Sequence, residues 1–468
     1  MRTLVKSQDY AFENATQRHQ WPCQSPPSRH ESDSLSMTEL DRSSAADGIA
    51  IALPYFTDPD PALSRSSGGR DPLGLLPVWS AFGRKLVPHL ASPVGQVNGI
   101  KAVVLIQWLA NEQEKFRQLL AGDDAPRKFF RLMEGLVEYW LYHNKRPYCF
   151  GNNTLAAEGK DFYVTTKTGK TVANGLYQYY RGTSRRAGLI DDNWRVEPEV
   201  CKELNRHWTP KATDELLGAL TGPLANAKTA LEPDRYLNGT ALSKALERIF
   251  DYDCLLPILQ ECLFGQDFQR TLARDFLALR RATNMEGLRI EQRIRLLQSE
   301  ELAHDIDSVL RCEPFLLVMQ DVFDFLRGSP GKKLEQLARE LEEVFSQMRE
   351  RAAAFQRLGS ELETPRMKQM QMLADILAAS VPAANSAARR VCLIAFTREL
   401  VDYHKRCMTE RGRDPLVLIE GDVIVLPVAG DRDRQDAKKR LVDGFPWMND
   451  YYLNTASNIY AQVFGEPV

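Results

Sequence analysis

Residues 331–358 read GKKLEQLARELEEVFSQMRERAAAFQRL, and this stretch decides the fold class. Its apolar residues recur at alternating steps of three and four, which is the spacing of one face of an α-helix. Those apolar positions are Leu334, Leu337, Leu341, Val344, Met348, Phe355 and Leu358. Gly359 and Pro365 follow as stop signals. The spacing therefore predicts a long helix with one buried face, and a fold that is mainly α.

The apolar face of this helix has two interpretations. In the first, the helix lies inside an antiparallel bundle and packs only against its own chain. In the second, the face is the a/d-like seam of a coiled coil. Residues 331–358 would then contact other protein subunits or a second copy of the chain.

The flanking segments extend the helical prediction. Helical spacing also marks residues 100–120, 125–143 and most of 236–327. The C-terminal part has a different pattern, because apolar runs at 416–419 and 423–428 flank a short turn that is compatible with a β-hairpin. Two helical patterns follow these runs, so we expect a small C-terminal α/β element.

Composition excludes several classes of protein. The 468 residues carry a formal net charge of −2, so we expect no general affinity for nucleic acid, and any basic site must be local. No apolar run approaches the ~18–20 residues of a membrane span, and the N-terminus lacks the apolar core of a signal peptide. The eight cysteines are scattered without a CxxC pair, which favours buried thiols in a reducing compartment. We therefore expect a cytoplasmic protein that contacts no membrane.

The sequence carries no recognisable motif for catalysis, metal binding or cofactor binding. The letters TKTGKT at 166–171 resemble the end of a phosphate-binding loop, but Val164 stands where that loop needs a glycine. Neither a GxSxG elbow nor an HExxH pair nor a DxDxDG loop occurs. The sequence thus predicts no metal and no cofactor, and it favours a non-catalytic protein over an enzyme.

Positive charge is concentrated in one stretch. Residues 142–190 contain eight lysines and arginines but only two acids, and no acid lies between Asp161 and Asp191. If 170–187 form a helix, Val172, Leu176, Tyr179 and Thr183 lie on a core face, and Ser184 lies with the cationic residues on the opposite face. The predicted nucleic-acid-binding residues are Lys167, Lys170, Asn174, Tyr177, Gln178, Arg181, Arg185 and Arg186. Their cations suit phosphates and their amides suit base edges.

The order of elements around this basic stretch resembles the second half of a winged-helix domain. A basic helix is followed by Gly188, the letters GLI, the turn DDNW, a short strand and a new helix, and the resemblance covers roughly 150–210. It implies that the basic helix enters the major groove of DNA and that the hairpin contacts the adjacent backbone. Small terminal domains separated by a helical middle are also similar in layout to kleisin-type subunits of SMC complexes.

A weaker pattern suggests catalysis instead. Arg398 and His404 have the Arg-x4–6-His spacing of the HEPN ribonucleases, within the amphipathic stretch RRVCLIAFTRELVDYHKRC. The resemblance implies that both side chains act on a scissile phosphate from one helix.

These patterns together predict a multi-domain helical protein. Its predicted segments are a disordered tail at 1–68, a helical N-terminal domain at 69–150, a winged-helix-like basic module at 151–230, a helical domain at 231–330, a long helix or coiled coil at 331–412, and a C-terminal β-hairpin with helices at 413–468. As function, we expect a non-catalytic, DNA-associated subunit of a bacterial multiprotein system for defence or DNA maintenance. The alternatives are a HEPN-like ribonuclease effector and a pure assembly scaffold that uses residues 331–358.

Overall fold

A computed structural model describes residues 71–467, except for 92, 123, 148–149, 168–174, 283–287, 360–364, 380–384, 428–431 and 448. The predicted disordered tail at 1–68 lies outside the described residues. Most of the described chain is helical, as predicted. The only strands with more than one residue among the described residues are two that form a small antiparallel sheet near the C-terminus.

The first half of the described chain contains ten helices of very different length. They are α1 (Leu76–Leu86), α2 (Val97–Glu112), α3 (Glu114–Leu119), α4 (Ala125–His143), α5 (Asn152–Glu158), α6 (Arg181–Arg186), α7 (Pro198–His207), α8 (Pro210–Ala225), α9 (Pro233–Leu237) and α10 (Ala241–Asp251). Proline stands in the first turn of several of them, where its missing N–H leaves no hydrogen bond unmade.

The second half adds ten more helices and the two strands. They are α11 (Leu256–Phe264), α12 (Asp267–Arg281), α13 (Ile290–Leu296), α14 (Ala303–Arg327), α15 (Leu334–Leu341), α16 (Phe345–Gln356), α17 (Pro365–Ala378), α18 (Ser386–Thr409), β1 (Leu418–Glu420), β2 (Val423–Val425), α19 (Arg434–Asp443) and α20 (Leu453–Phe464).

Helix α2 forms the centre of the N-terminal half. Its sequence, IKAVVLIQWL, is apolar on all sides, and a helix of that kind must be surrounded by other elements. Helices α3, α4, α6, α7, α10 and α20 all pack against it. Lys101 is the one charged residue of this buried stretch, and its Nζ donates to the carbonyls of Ile249 (3.2 Å) and Phe250 (3.4 Å). The lysine thereby satisfies the C-terminal end of α10.

Helix α14 has the same role in the C-terminal half. Helices α1, α13, α16, α18 and α19 pack around it. Two of its buried acids are paired with a cation, since Arg440 of α19 donates to Asp321 (2.7 Å) and Asp324 (3.0 Å). Paired and hydrogen-bonded charges can be accommodated inside a helical core, whereas isolated ones cannot.

The stretch 331–358 is buried along the predicted face but is not one continuous helix. All seven apolar positions are buried, and they pack against α14, α17 and α18 of the same chain. A 3₁₀ turn at Glu342–Val344 separates α15 from α16. The bundle interpretation accounts for the buried face. The coiled-coil contact with a partner stays a prediction, and it would have to use the exposed side of these helices.

The predicted C-terminal hairpin is confirmed. Strands β1 and β2 pair antiparallel, with Leu418 opposite Val425 and Glu420 opposite Val423. Gly421 in the turn has a φ of +61°, which glycine adopts without strain. The two closing helices follow as α19 and α20.

Contacts cross the predicted domain boundaries at several points. Lys101 of the predicted segment 69–150 bonds to Ile249 in 231–330. Tyr403 of 331–412 donates to the carbonyl of Leu73 at 2.7 Å. The buried side chains of the described residues form one contiguous core, so the predicted segments depend on one another for packing.

Candidate nucleic-acid interface

The Glu134 carboxyl of α4 accepts backbone amides of the basic helix. The N–H of Leu176 donates to Glu134 Oε1 at 3.0 Å, inside the core. Burial raises the pKa of the Glu134 carboxyl to about 8. The carboxyl is therefore mostly protonated at neutral pH, and it satisfies the helix end without cancelling the positive charge nearby.

A π-helical turn at Leu176–Tyr180 precedes α6 and changes which side chains point inward. The prediction placed Tyr179 on the core face and Ser184 on the cationic face. Tyr179 is partly buried against the core, but Tyr180 and Ser184 are fully buried, and the Ser184 hydroxyl donates to the carbonyl of Tyr180 at 3.0 Å. A π turn holds more residues than an α turn and so rotates every later side chain around the axis. The placement of Ser184 was therefore wrong.

Arg181 lies between two aromatic rings. Its Cζ is 3.7 Å from the centroid of the Trp194 ring and 4.2 Å from that of Tyr177. Burial lowers the pKa of its guanidinium. Among the described residues, no acceptor lies within hydrogen-bonding distance of its buried Nε. Such stacking stabilises a cation without neutralising it.

Helix α4 supplies two further contacts to the Tyr177 ring. Phe130 meets that ring edge-on, with the centroids 5.1 Å apart. The Cζ of Arg127, an exposed residue one turn earlier, lies 5.7 Å from the Tyr177 centroid. Arg127 is therefore a second cation on the same aromatic group.

Trp194 is held in place by a tight hairpin. Ile190 and Val196 form an antiparallel bridge, and the Asp191 carboxylate accepts from the backbone amides of Asn193 and Arg195, each at 2.8 Å. Trp194 itself has a φ of +63°, which is uncommon for a residue other than glycine. The hairpin thus fixes the indole over Arg181 at some conformational cost.

The next two arginines diverge from this stack. Arg185 lies 5.7 Å from the Trp194 centroid and 3.7 Å from Asp192, whose side chain is 92% exposed. Arg186 turns back toward the chain, since its Nη2 donates to Thr183 Oγ1 at 3.2 Å and to the carbonyl of His89 at 3.4 Å. Arg185, whose side chain is 25% exposed, therefore stays close to Trp194, and Arg186 stabilises the fold.

We call Arg127, Tyr177, Arg181, Arg185 and Trp194 the arginine–aromatic surface. Three of these five residues, Tyr177, Arg181 and Arg185, were predicted from the sequence. Arg127 and Trp194 were not, because they come from α4 and from the hairpin. One feature of the sequence could have pointed to Trp194, namely its place in the turn DDNW shortly after the basic helix.

The other predicted binding residues are not part of this surface. Lys170 and Asn174 lie outside the described residues. Lys167 is exposed, and its carbonyl accepts from the Thr165 hydroxyl at 3.0 Å. Gln178 is exposed on the basic helix itself.

A pocket of about 690 Å³ lies where the hairpin and α7 face the end of α2. Its walls carry both signs of charge, including Glu112, Arg195 and Lys202. Burial raises the pKa of the Cys201 thiol in this pocket to about 11, so the thiol is protonated and weakly nucleophilic at neutral pH.

Arg398 and His404 do not form a shared catalytic site. His404 is fully buried, its Nδ1 bonds to the carbonyl of Pro72 at 2.9 Å, and its Nε2 accepts from the amide of Leu416 at 2.8 Å. Burial lowers the pKa of the His404 imidazole to about 4. Arg398 is exposed and pairs with Asp422. The imidazole therefore holds two chain segments together.

The described part of the chain contains no group of three or more His, Cys, Asp or Glu residues that could hold a metal ion. It also contains no helix with the length and apolar character needed to cross a membrane.

Comparison of the chain with protein-family models, with curated proteins and with solved structures found no match. Functional inference therefore depends on the residues of this chain.

Proposed function

We propose that this chain is a non-catalytic protein that binds nucleic acid through the arginine–aromatic surface. DNA is the proposed ligand, and the proposed setting is a multiprotein assembly in the cytoplasm that acts on DNA. The observation that carries the proposal is the position of Arg181 between Tyr177 and Trp194. Such an arginine stays charged at neutral pH, although its side chain also hydrogen-bonds to Tyr177, and its guanidinium can bind an anion.

The local charge balance supports the same proposal. Arg127, Arg181 and Arg185 share two aromatic rings, and the Asp192 carboxylate lies 3.7 Å from Arg185. Glu134 beneath the surface is mostly neutral at pH 7, because burial raises its pKa to about 8. A local excess of cations in a chain of net charge −2 favours a polyanionic ligand.

We retain two parts of the winged-helix resemblance, the order of elements and the role of the hairpin. The chain has the order basic helix, Gly188, hairpin and helix α7 that the comparison requires. We propose that the hairpin contributes Trp194 to the ligand contact, as a wing would. The ribonuclease alternative is not adopted, because both ring nitrogens of His404 are hydrogen-bonded to the backbone.

The experiment is direct binding of the full-length protein to fluorescently labelled random-sequence DNA, measured by anisotropy. Duplex DNA, single-stranded DNA and RNA are compared between about 50 and 200 mM salt. We expect binding that weakens as salt rises. Lack of binding to all three ligands at the lowest salt would contradict the proposal.

A further inference from the structure

We propose that the arginine–aromatic surface contacts the phosphate backbone from outside the grooves and therefore binds DNA without reading its sequence. This inference rests on the proposed function and narrows its ligand to the phosphates. It departs from the winged-helix comparison, which places the basic helix in the major groove.

The first reason is that side chains of two other elements pack against the basic helix. Phe130 of α4 packs against Tyr177 with centroids 5.1 Å apart, and Trp194 of the hairpin packs 3.7 Å from the Arg181 guanidinium. A single α-helix, about 10–12 Å wide with its side chains, already fills a major groove about 12 Å wide. Helix α4 and the hairpin would therefore collide with the groove walls before α6 could enter.

The second reason is the reach of Arg181. Its guanidinium is half-buried between the rings of its own chain. Base edges lie at the floor of a groove about 8.5 Å deep, whereas phosphates line the rim. The Arg181 guanidinium, held by these rings, therefore reaches the phosphates before it reaches the bases. Extending the side chain to the bases would break its contacts with Tyr177 and Trp194.

The third reason is the spacing of the cations. The Tyr177 ring lies within 5.7 Å of both Arg127 and Arg181, and the Trp194 ring lies within 5.7 Å of both Arg181 and Arg185. Three cations grouped in this way suit neighbouring phosphates of one strand, each of which needs one cation. Three phosphate contacts predict a slope of log affinity against log salt of about −3.

The test is competition for a labelled random-sequence duplex by three unlabelled probes. Two are duplexes made only of A·T or only of G·C pairs, and the third is linear inorganic polyphosphate, which has no bases. The variants are Arg181→Ala, Arg127→Ala and Gln178→Ala. Gln178 is the matched control, since its exposed amide lies on the same helix and is suited to a base edge.

We expect the two duplexes to compete within about threefold of each other and polyphosphate to displace the duplex completely. Arg181→Ala should lower the affinity for all three competitors alike by about tenfold, and Gln178→Ala should leave all three affinities unchanged. Arg127→Ala should show the same uniform loss. Because Arg127 is exposed, this variant still tests the inference if Arg181→Ala disturbs folding.

Two results would overturn the inference in distinguishable ways. Binding that prefers one duplex by more than about tenfold, and loses this preference in Gln178→Ala, would show base reading while leaving the proposed function intact. Failure of the wild-type protein to bind any labelled DNA would overturn both.

Discussion

The guanidinium of Arg181 lies 3.7 Å from the ring of Trp194, although the two residues belong to different elements. The contact exists because the hairpin folds back over α6 and the Asp191 carboxylate fixes its turn. It joins a half-buried cation to a strained backbone position, since Trp194 has a φ of +63°. Strain of this kind persists where surrounding contacts hold it, and it is often found at functional sites.

Trp194→Ala tests the role of the ring separately from charge. The change removes the indole face that stabilises Arg181, so we expect a loss of about 2 kcal/mol in the free energy of unfolding. Affinity for DNA should also fall, although no charge is lost. Urea denaturation and anisotropy measure the two effects. Trp194→Phe should recover part of both, and an unchanged DNA affinity in Trp194→Ala would contradict the role of the ring.

Asp192→Asn tests the charge balance at Arg185. The Asp192 carboxylate lies 3.7 Å from Arg185 and competes with any phosphate at that position. Its removal should tighten DNA binding about two- to fivefold at low salt, with little effect on stability, since exposed ion pairs contribute about 0–1 kcal/mol. The matched control is Asp214→Asn, which removes the same charge from an exposed pair with Lys115. Equal effects of both variants would contradict a local role for Asp192.

Glu313 gives a pH dependence of stability. Its carboxyl is fully buried, accepts from Tyr451 Oη at 2.7 Å, and has its pKa raised by burial from 4.5 to about 7. The folded state therefore binds this proton more tightly than the unfolded state does. The resulting stability is complete below pH 4.5 and is lost as the pH rises through about 7.

Glu313→Gln should remove that loss. Between pH 5 and 8 the free energy of unfolding of the wild type should fall by up to about 3 kcal/mol more than that of Glu313→Gln. Urea denaturation at each pH measures this difference. Glu335→Gln, at an exposed carboxylate paired with Arg339, is the control and should keep the wild-type slope. A Glu313→Gln slope equal to that of the wild type would show that Glu313 does not titrate in this range.

His404→Ala separates a structural histidine from a catalytic one. The change leaves the carbonyl of Pro72 and the amide of Leu416 buried without their partner, so we expect a loss of about 3 kcal/mol in urea denaturation. Arg398→Ala should cost less than about 1 kcal/mol, because Arg398 is exposed. A His404→Ala protein that keeps full stability but loses an RNA-cleaving activity of the wild type would favour the ribonuclease alternative.

The helical class and the buried face of 331–358 could be predicted because apolar spacing records which side of a helix faces the core. The break at Glu342–Val344 could not, since a 3₁₀ turn of three residues keeps the apolar steps of three and four. The same limit applies to the basic helix. Its π turn leaves no mark in the spacing, yet it buries Ser184.

The candidate site was only half predictable for a different reason. Arg181 and Arg185 are neighbours in the sequence, and their shared charge is visible there. Arg127 belongs to α4, two helices before α6, and its approach to Tyr177 depends on how α4 packs. His404 shows the converse error, since a motif spacing cannot report that both ring nitrogens are already hydrogen-bonded.

The salt dependence of DNA binding tests the central claim most directly. The wild type is compared with Arg181→Ala/Arg185→Ala and with Arg270→Ala/Arg274→Ala, which removes two exposed arginines of α12. We expect the slope of log affinity against log salt to become shallower by about two in the first double variant and to stay unchanged in the second. Equal slopes in all three proteins would contradict the assignment of the arginine–aromatic surface as the nucleic-acid interface.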